Sequence, residues 1–135
     1  MLDTTVLILR ERREPVRAWF ATQINADNVA VCDAVILEYL MGARSGEHYD
    51  QLASAFNGLH RIETTPIDWE RARSVQRFFA FQTGGGQRAV QIPDLLIAAT
   101  AERVGMPVAH YDEDYDRIAA FTGQETFWVA PRGTL

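Results

Sequence analysis

Lysine is missing from this chain of 135 residues: all 13 basic residues are arginine. The absence excludes whole chemistries. A phosphate-binding loop of the GxxxxGKS/T type needs its lysine, and so does a pyridoxal Schiff base. The run Gly84-Gly85-Gly86 therefore reads as a flexible connector and not as a phosphate cradle. Cysteine is nearly missing as well. Cys32 stands alone, forms no internal disulfide, and lies in Val29-Ala30-Val31-Cys32, where a buried structural thiol is expected. No apolar run approaches the ~20 residues that cross a bilayer. The opening Met1-Leu2-Asp3 also lacks the basic-then-apolar order of a signal peptide. A cytoplasmic protein without membrane association is expected. His48, His60 and His110 lack metal-ligand spacing, and nothing supports Ser/His/Asp or Cys/His catalysis. A net charge of -5 argues against a strongly basic nucleic-acid face.

What is present is an alternation of short apolar runs and longer helical patterns. The length fits one domain, residues 1–135, with one core. Met1-Leu2 reads as the stub of a first strand ending at Asp3. A helix follows over about Thr5–Arg10, and Pro15 opens another through about Asn25. Val29–Cys32 is a buried strand, with Asp33 capping a helix over Ala34–Ala43. Glu47–Asn57 is a further helix, stopped at Gly58. Arg61–Glu63 is a strand, followed by a helix from Ile67 to Thr83 that ends at the glycines. Pro93 sits in the first turn of a helix that runs to Val104. Pro107–Ala109, Asp114–Phe121 and Thr126–Val129 give a strand, a helix and a strand. Such alternation predicts an α/β fold with a mostly parallel sheet, whose ligands bind at the carboxyl ends of the strands.

Acidic residues at those ends carry the functional reading. Asp3 directly follows the first strand, a position that equally suits a helix cap. Glu38, in Leu37-Glu38-Tyr39-Leu40-Met41, borders an apolar helix face. Asp94 opens Pro93-Asp94-Leu95-Leu96-Ile97-Ala98-Ala99, apolar nearly all round. A charge at the start of a buried helix needs compensation, from the helix N–H groups in part and from a cation more fully. Asp112 heads the run Asp112-Glu113-Asp114-Tyr115-Asp116 after a strand and is taken as its inward-facing member, with Asp114 as a helix cap. A parallel sheet brings Asp3, Glu38, Asp94 and Asp112 to one edge. Carboxylates gathered there stay partly protonated or collect hard divalent cations.

These segments resemble the four acidic motifs of PIN-domain nucleases, in order and approximate spacing, and most closely the VapC toxin branch. The motifs are Leu2-Asp3-Thr4-Thr5-Val6-Leu7, Leu37-Glu38-Tyr39-Leu40-Met41-Gly42, Pro93-Asp94-Leu95-Leu96-Ile97-Ala98-Ala99-Thr100-Ala101 and His110-Tyr111-Asp112-Glu113-Asp114-Tyr115. The tail Trp128-Val129-Ala130-Pro131-Arg132-Gly133 adds to the likeness. The resemblance implies a three-layer α/β/α sandwich and endonuclease activity on RNA dependent on Mg²⁺, with Mn²⁺ as the alternative ion. It also implies a homodimer and a VapB-type antitoxin that blocks the site. Carried over by motif, Asp3, Asp94 and Asp112 are metal ligands. Glu38 joins them as a fourth catalytic acid, either beside the ligands or positioning the water. Thr5 matches the hydroxyl beside the first acid, and Asp114 an extra acid beside the fourth. His110 stands where the family often has Thr or Ser. Only two residues precede Asp3, which implies a short first strand or a start further upstream. The alternative reading is a PIN-like module that binds RNA or protein without cutting. A receiver domain is disfavoured by the missing lysine, and a haloacid-dehalogenase-type phosphatase by Thr5 in place of a second aspartate.

Overall fold

Side chains alternate across a sheet, so a strand buried at every position is covered on both faces. β1 (Ala30–Cys32) and β3 (Val108–His110) are buried at all of their positions. The expected α/β/α sandwich follows. The structure, a computed structural model, describes residues 1–82 and 84–135.

β1 pairs in parallel with β2 (His60–Ile62), Ala30 opposite His60. β3 pairs in parallel with β4 (Thr126–Trp128), Val108 opposite Thr126. The first residues of the chain join the two ladders. Leu2 bridges Ala109 in parallel, and its amide donates to the Ala30 carbonyl at 2.9 Å. The Asp3 amide donates to the Ala109 carbonyl at 3.0 Å. The expected strand stub is thus the middle of the sheet, in the order β2, β1, Met1–Asp3, β3, β4.

Seven α-helices surround the sheet among the described residues: α1 (Thr4–Arg12), α2 (Glu14–Asn25), α3 (Asp33–Leu40), α4 (Gly46–Ser54), α5 (Pro66–Ala80), α6 (Ile92–Arg103) and α7 (Asp114–Thr122). α3 stops short of the expected Ala43, because the amides of Gly42 and Ala43 turn back to Tyr39 and Leu40 in tighter three-residue steps. Asp33 is the first residue of α3 and not its cap. Its carboxylate pairs with Arg61 at 2.7 Å. α4 starts one residue early, at Gly46, because the Ser45 side chain caps it; it ends at Ser54, short of the expected Asn57, and turns carry the chain on to Gly58. α5 stops at Ala80, short of the expected end at Thr83, which itself lies outside the described residues. Beyond it Gly84 and Gly85 take φ of 89° and 69°, left-handed values that favour glycine.

The core draws Val6 and Leu7 from α1, Val35 from α3, Val75 and Phe79 from α5, Ile97 from α6 and Ile118 from α7. Cys32 is fully buried within it, and burial pushes its thiol up. A thiol so placed is inert. α5 and α6 are locked by ions as well. The buried Asp68 accepts from Arg103 Nε at 2.8 Å, and Arg71 grips both oxygens of Glu102 at 2.8 Å. The helix that carries Asp94 in its first turn is held firmly at its far end.

Candidate active site

The parallel arrangement sends Asp3 out at the carboxyl end of the sheet, where it caps α1. Its Oδ2 accepts from the Thr5 amide at 3.1 Å and also from the Thr5 hydroxyl. The cap and the site are therefore one residue, and the two readings of Asp3 do not compete. Thr5 in turn accepts from the Tyr111 amide at 3.1 Å, which ties the loop after β3 to the start of α1.

Asp94 enters from the opposite element, in the first turn of α6, and is buried. Its carboxyl is pushed up to about 7. Burial is the largest cause, followed by the negative charges of Asp3, Asp112 and Glu38, with a Tyr115 hydrogen bond opposing them. Each of the other three expected acids thus acts on Asp94 through its charge. Glu38 reaches in from α3, with Oε2 accepting from the Thr4 hydroxyl at 2.5 Å.

Asp112 is half-buried, and its Oδ1 accepts from the Asp114 amide at 3.0 Å. It is Asp112, not Asp114, that caps the start of α7. Asp114 is the more buried of the two, and its carboxylate pairs with Arg117 Nη1 at 2.9 Å. Asp112 is among the charges that raise Asp94, whereas by burial Asp114 is the more inward of the two.

Sequence reasoning missed Tyr115. Its fully buried hydroxyl lies 2.8 Å from Asp3 Oδ1 and 3.2 Å from Asp94 Oδ1. One hydroxyl carries one proton, so it donates to one carboxylate at a time, and the closer Asp3 is the better recipient. Only its position four residues into an acidic run hinted at such a role. His110 is also completely buried, and burial lowers its basicity. Its Nδ1 accepts from the Asp112 amide at 3.2 Å, so the ring proton resides on Nε2, which has no partner among the described residues. In place of a hydroxyl, this chain uses an imidazole to fix the Asp112 loop.

Among the described residues, no three His, Cys, Asp or Glu side chains already enclose a common point at ligating distance. Zinc and calcium favour sites in which the protein supplies most of the ligands. Mg²⁺ differs: it keeps several waters and takes one or two carboxylates with substrate phosphates. The oxygen-only donor set and the mutual repulsion recorded at Asp94 fit such an ion.

On this fold and site rest the comparisons with known proteins. The PIN domain family model matches residues 1–121. The chain is 47% identical to Ribonuclease VapC18 of Mycobacterium tuberculosis over 134 residues, 99% of this chain and 97% of that protein. It is 40% identical to Ribonuclease VapC51 of the same organism over 135 residues, 100% of this chain and 96% of that one. A crystal structure of VapBC2 from Rickettsia felis, bound to a promoter DNA fragment, shares the fold with a TM-score of 0.71. It does so at 16% identity, covering 95% of this chain and 96% of that one. The chain belongs to the PIN-domain family, in its VapC branch.

Proposed function

We propose that this protein is the ribonuclease toxin of a toxin–antitoxin pair, an Mg²⁺-dependent endonuclease that hydrolyses RNA phosphodiester bonds. The observation that carries the reading is Asp94: a buried carboxyl at a helix start, held near neutrality by burial and by three neighbouring acids. Its relatives carry the name ribonuclease, and its structural neighbours include VapBC complexes, which supports RNA as substrate and a VapB-type antitoxin as partner.

Asp3, Asp94 and Asp112 would hold the metal. When bound, the ion supplies positive charge to the phosphate and makes a coordinated water more acidic. The chain's own groups set the stage. The Tyr115 hydroxyl lies between the Asp3 and Asp94 carboxylates, donating to one at a time, and its hydrogen bond opposes the rise in the Asp94 pKa. Thr5 and Thr4 fix the rotamers of Asp3 and Glu38. Glu38 sits at the margin between the buried acids and open solvent, where it positions a water or completes the ligand set.

Leu37, Met41 and Ile92 are well exposed and line an apolar groove of about 430 Å³ that also touches Glu38. Exposed apolar side chains in contact with one another favour a protein cover, supporting the expected homodimer and an antitoxin able to approach the acids. The cytoplasm is the expected setting, and no helix among the described residues is long and apolar enough to cross a membrane.

The test is RNA cleavage with Mg²⁺, with chelator, and with Asp94→Asn. Cleavage is expected only for the unaltered protein with the metal, and the substitution should lower kcat by at least 10²-fold. RNA binding without any metal-dependent product would favour the non-cutting module instead.

A further inference from the structure

On the other side of Glu38 from the apolar groove lies a cavity of about 490 Å³ between α1, α3 and α4. Its lining includes Arg12, Arg44, His48, Glu11 and Tyr39, with Ile8 and Leu52 as apolar wall. Arginines elsewhere in this acidic chain are mostly engaged: Arg17 with Glu14, Arg61 with Asp33, Arg71 with Glu102, Arg103 with Asp68 and Arg132 with Glu113. Arg10 lies over the Phe20 ring at 4.4 Å. Arg12, Arg13, Arg44, Arg73 and Arg88 show no guanidinium ion pair or hydrogen bond to the chain among the described residues. Of these five, Arg12 and Arg44 line this cavity, and both are exposed.

The other polar groups of the cavity are set in one sense. The Tyr39 hydroxyl donates to Glu11, so the one carboxylate in the cavity besides Glu38 already has a partner. The Arg44 amide donates to His48 Nδ1 at 3.1 Å. An amide only donates, so the neutral imidazole keeps its proton on Nε2 and offers a third donor. Two free guanidiniums and an imidazole N–H, opening onto an acid cluster through Glu38, have the chemistry of a seat for a polyanion's phosphates.

We propose that this cavity is a phosphate subsite for single-stranded RNA. Arg12 and Arg44 grip backbone phosphates beside the scissile one, and Ile8 with Leu52 face the adjoining sugar or base. The proposal rests on the ribonuclease reading above and adds where the strand lies. Within the arginine-rich segment Arg10, Arg12, Arg13 and Arg17, Arg17 pairs with Glu14, Arg10 lies over Phe20, Arg13 is outside the cavity lining, and Arg12 serves the substrate.

The experiment measures binding of a fluorescent single-stranded RNA by anisotropy, in chelator, on the Asp94→Asn protein, across a NaCl series. Binding is thereby read apart from cleavage, so a failure of the catalytic reading does not decide this one. Arg12→Ala with Arg44→Ala should weaken binding roughly tenfold. The slope of log affinity against log salt should also flatten by about 1.4, as expected when two phosphate contacts are lost. The double lysine variant should recover the slope, because it keeps the charge. Arg77→Ala, which removes an exposed guanidinium that lies over Phe81, should change neither quantity. Unchanged affinity and slope in the double alanine variant would overturn the proposal, as would an equal loss in Arg77→Ala. In otherwise unaltered protein with Mg²⁺, the same double substitution should raise KM and leave kcat in place.

Discussion

At the scale of single residues, Asp94 concentrates the physics of the site. Its carboxyl ionises near pH 7 in the folded protein against an ordinary value of 3.8. Between those values the unfolded chain sheds a proton that the folded chain keeps, so stability is full in acid and declines as pH rises toward 7. The whole window is worth roughly 4 kcal/mol at most, at about 1.4 kcal/mol per pH unit. Asp94→Asn removes the buried charge and should raise the Tm of the metal-free protein at pH 8 while leaving it near the parent's at pH 4. Thermal melts in chelator at both values check this. A substitution that lowers Tm at pH 8 would mean that the carboxylate stabilises the fold. Asp94 was legible in the sequence because its context was contradictory, a charge heading an apolar helix. Tyr115 was not, since a hydroxyl that spans two acids from different elements exists only after folding.

Among the elements, the C-terminal tail has the clearest positioning task. Trp128 stands at the end of β4, with its ring 5.3 Å from Tyr111 and 5.1 Å from His110. Its indole N–H donates to Asp116 at 3.2 Å, and the Leu135 amide donates to the Tyr111 hydroxyl at 2.9 Å. The tail therefore clamps the loop that carries Asp112 between β3 and α7. Trp128→Ala should destabilise the protein by about 2–3 kcal/mol, somewhat below the value for a fully buried aromatic. Urea unfolding with an unchanged m-value checks it. Most elements could be read from periodicity and glycines, with ends shifted by a few residues. The tightened last turn of α3 and the Asp112 cap of α7 could not, because both depend on which amide finds which acceptor in three dimensions. The strand stub Met1–Asp3 was legible as a strand; its central place came from pairing with β1 and β3, which no local pattern encodes.

For the whole molecule, parallel topology was the most informative inference, since it alone gathers acids that lie far apart in the chain at one edge. The family match ends at residue 121, yet Val129 and Leu135 pack against the core and Ala130 is buried. We take residues 1–135 as one folding unit on that ground. The molecule still leaves Met41 and Ile92 uncovered, at 85% and 61% exposure. Sequence hydrophobicity alone did not reveal that face, because Met41 directly follows the buried Tyr39 and Leu40 in the chain. Met41→Glu should convert a dimer to a monomer with little change in Tm, measured by light scattering after gel filtration. A monomeric parent protein would contradict the dimer. The central claim is that Asp3, Asp94 and Asp112 hold one divalent centre, and a crystal soaked in Mn²⁺ tests it by anomalous diffraction. The account predicts a peak between these three carboxylates, absent from Asp94→Asn; manganese bound elsewhere, with the acids unmoved, would contradict it.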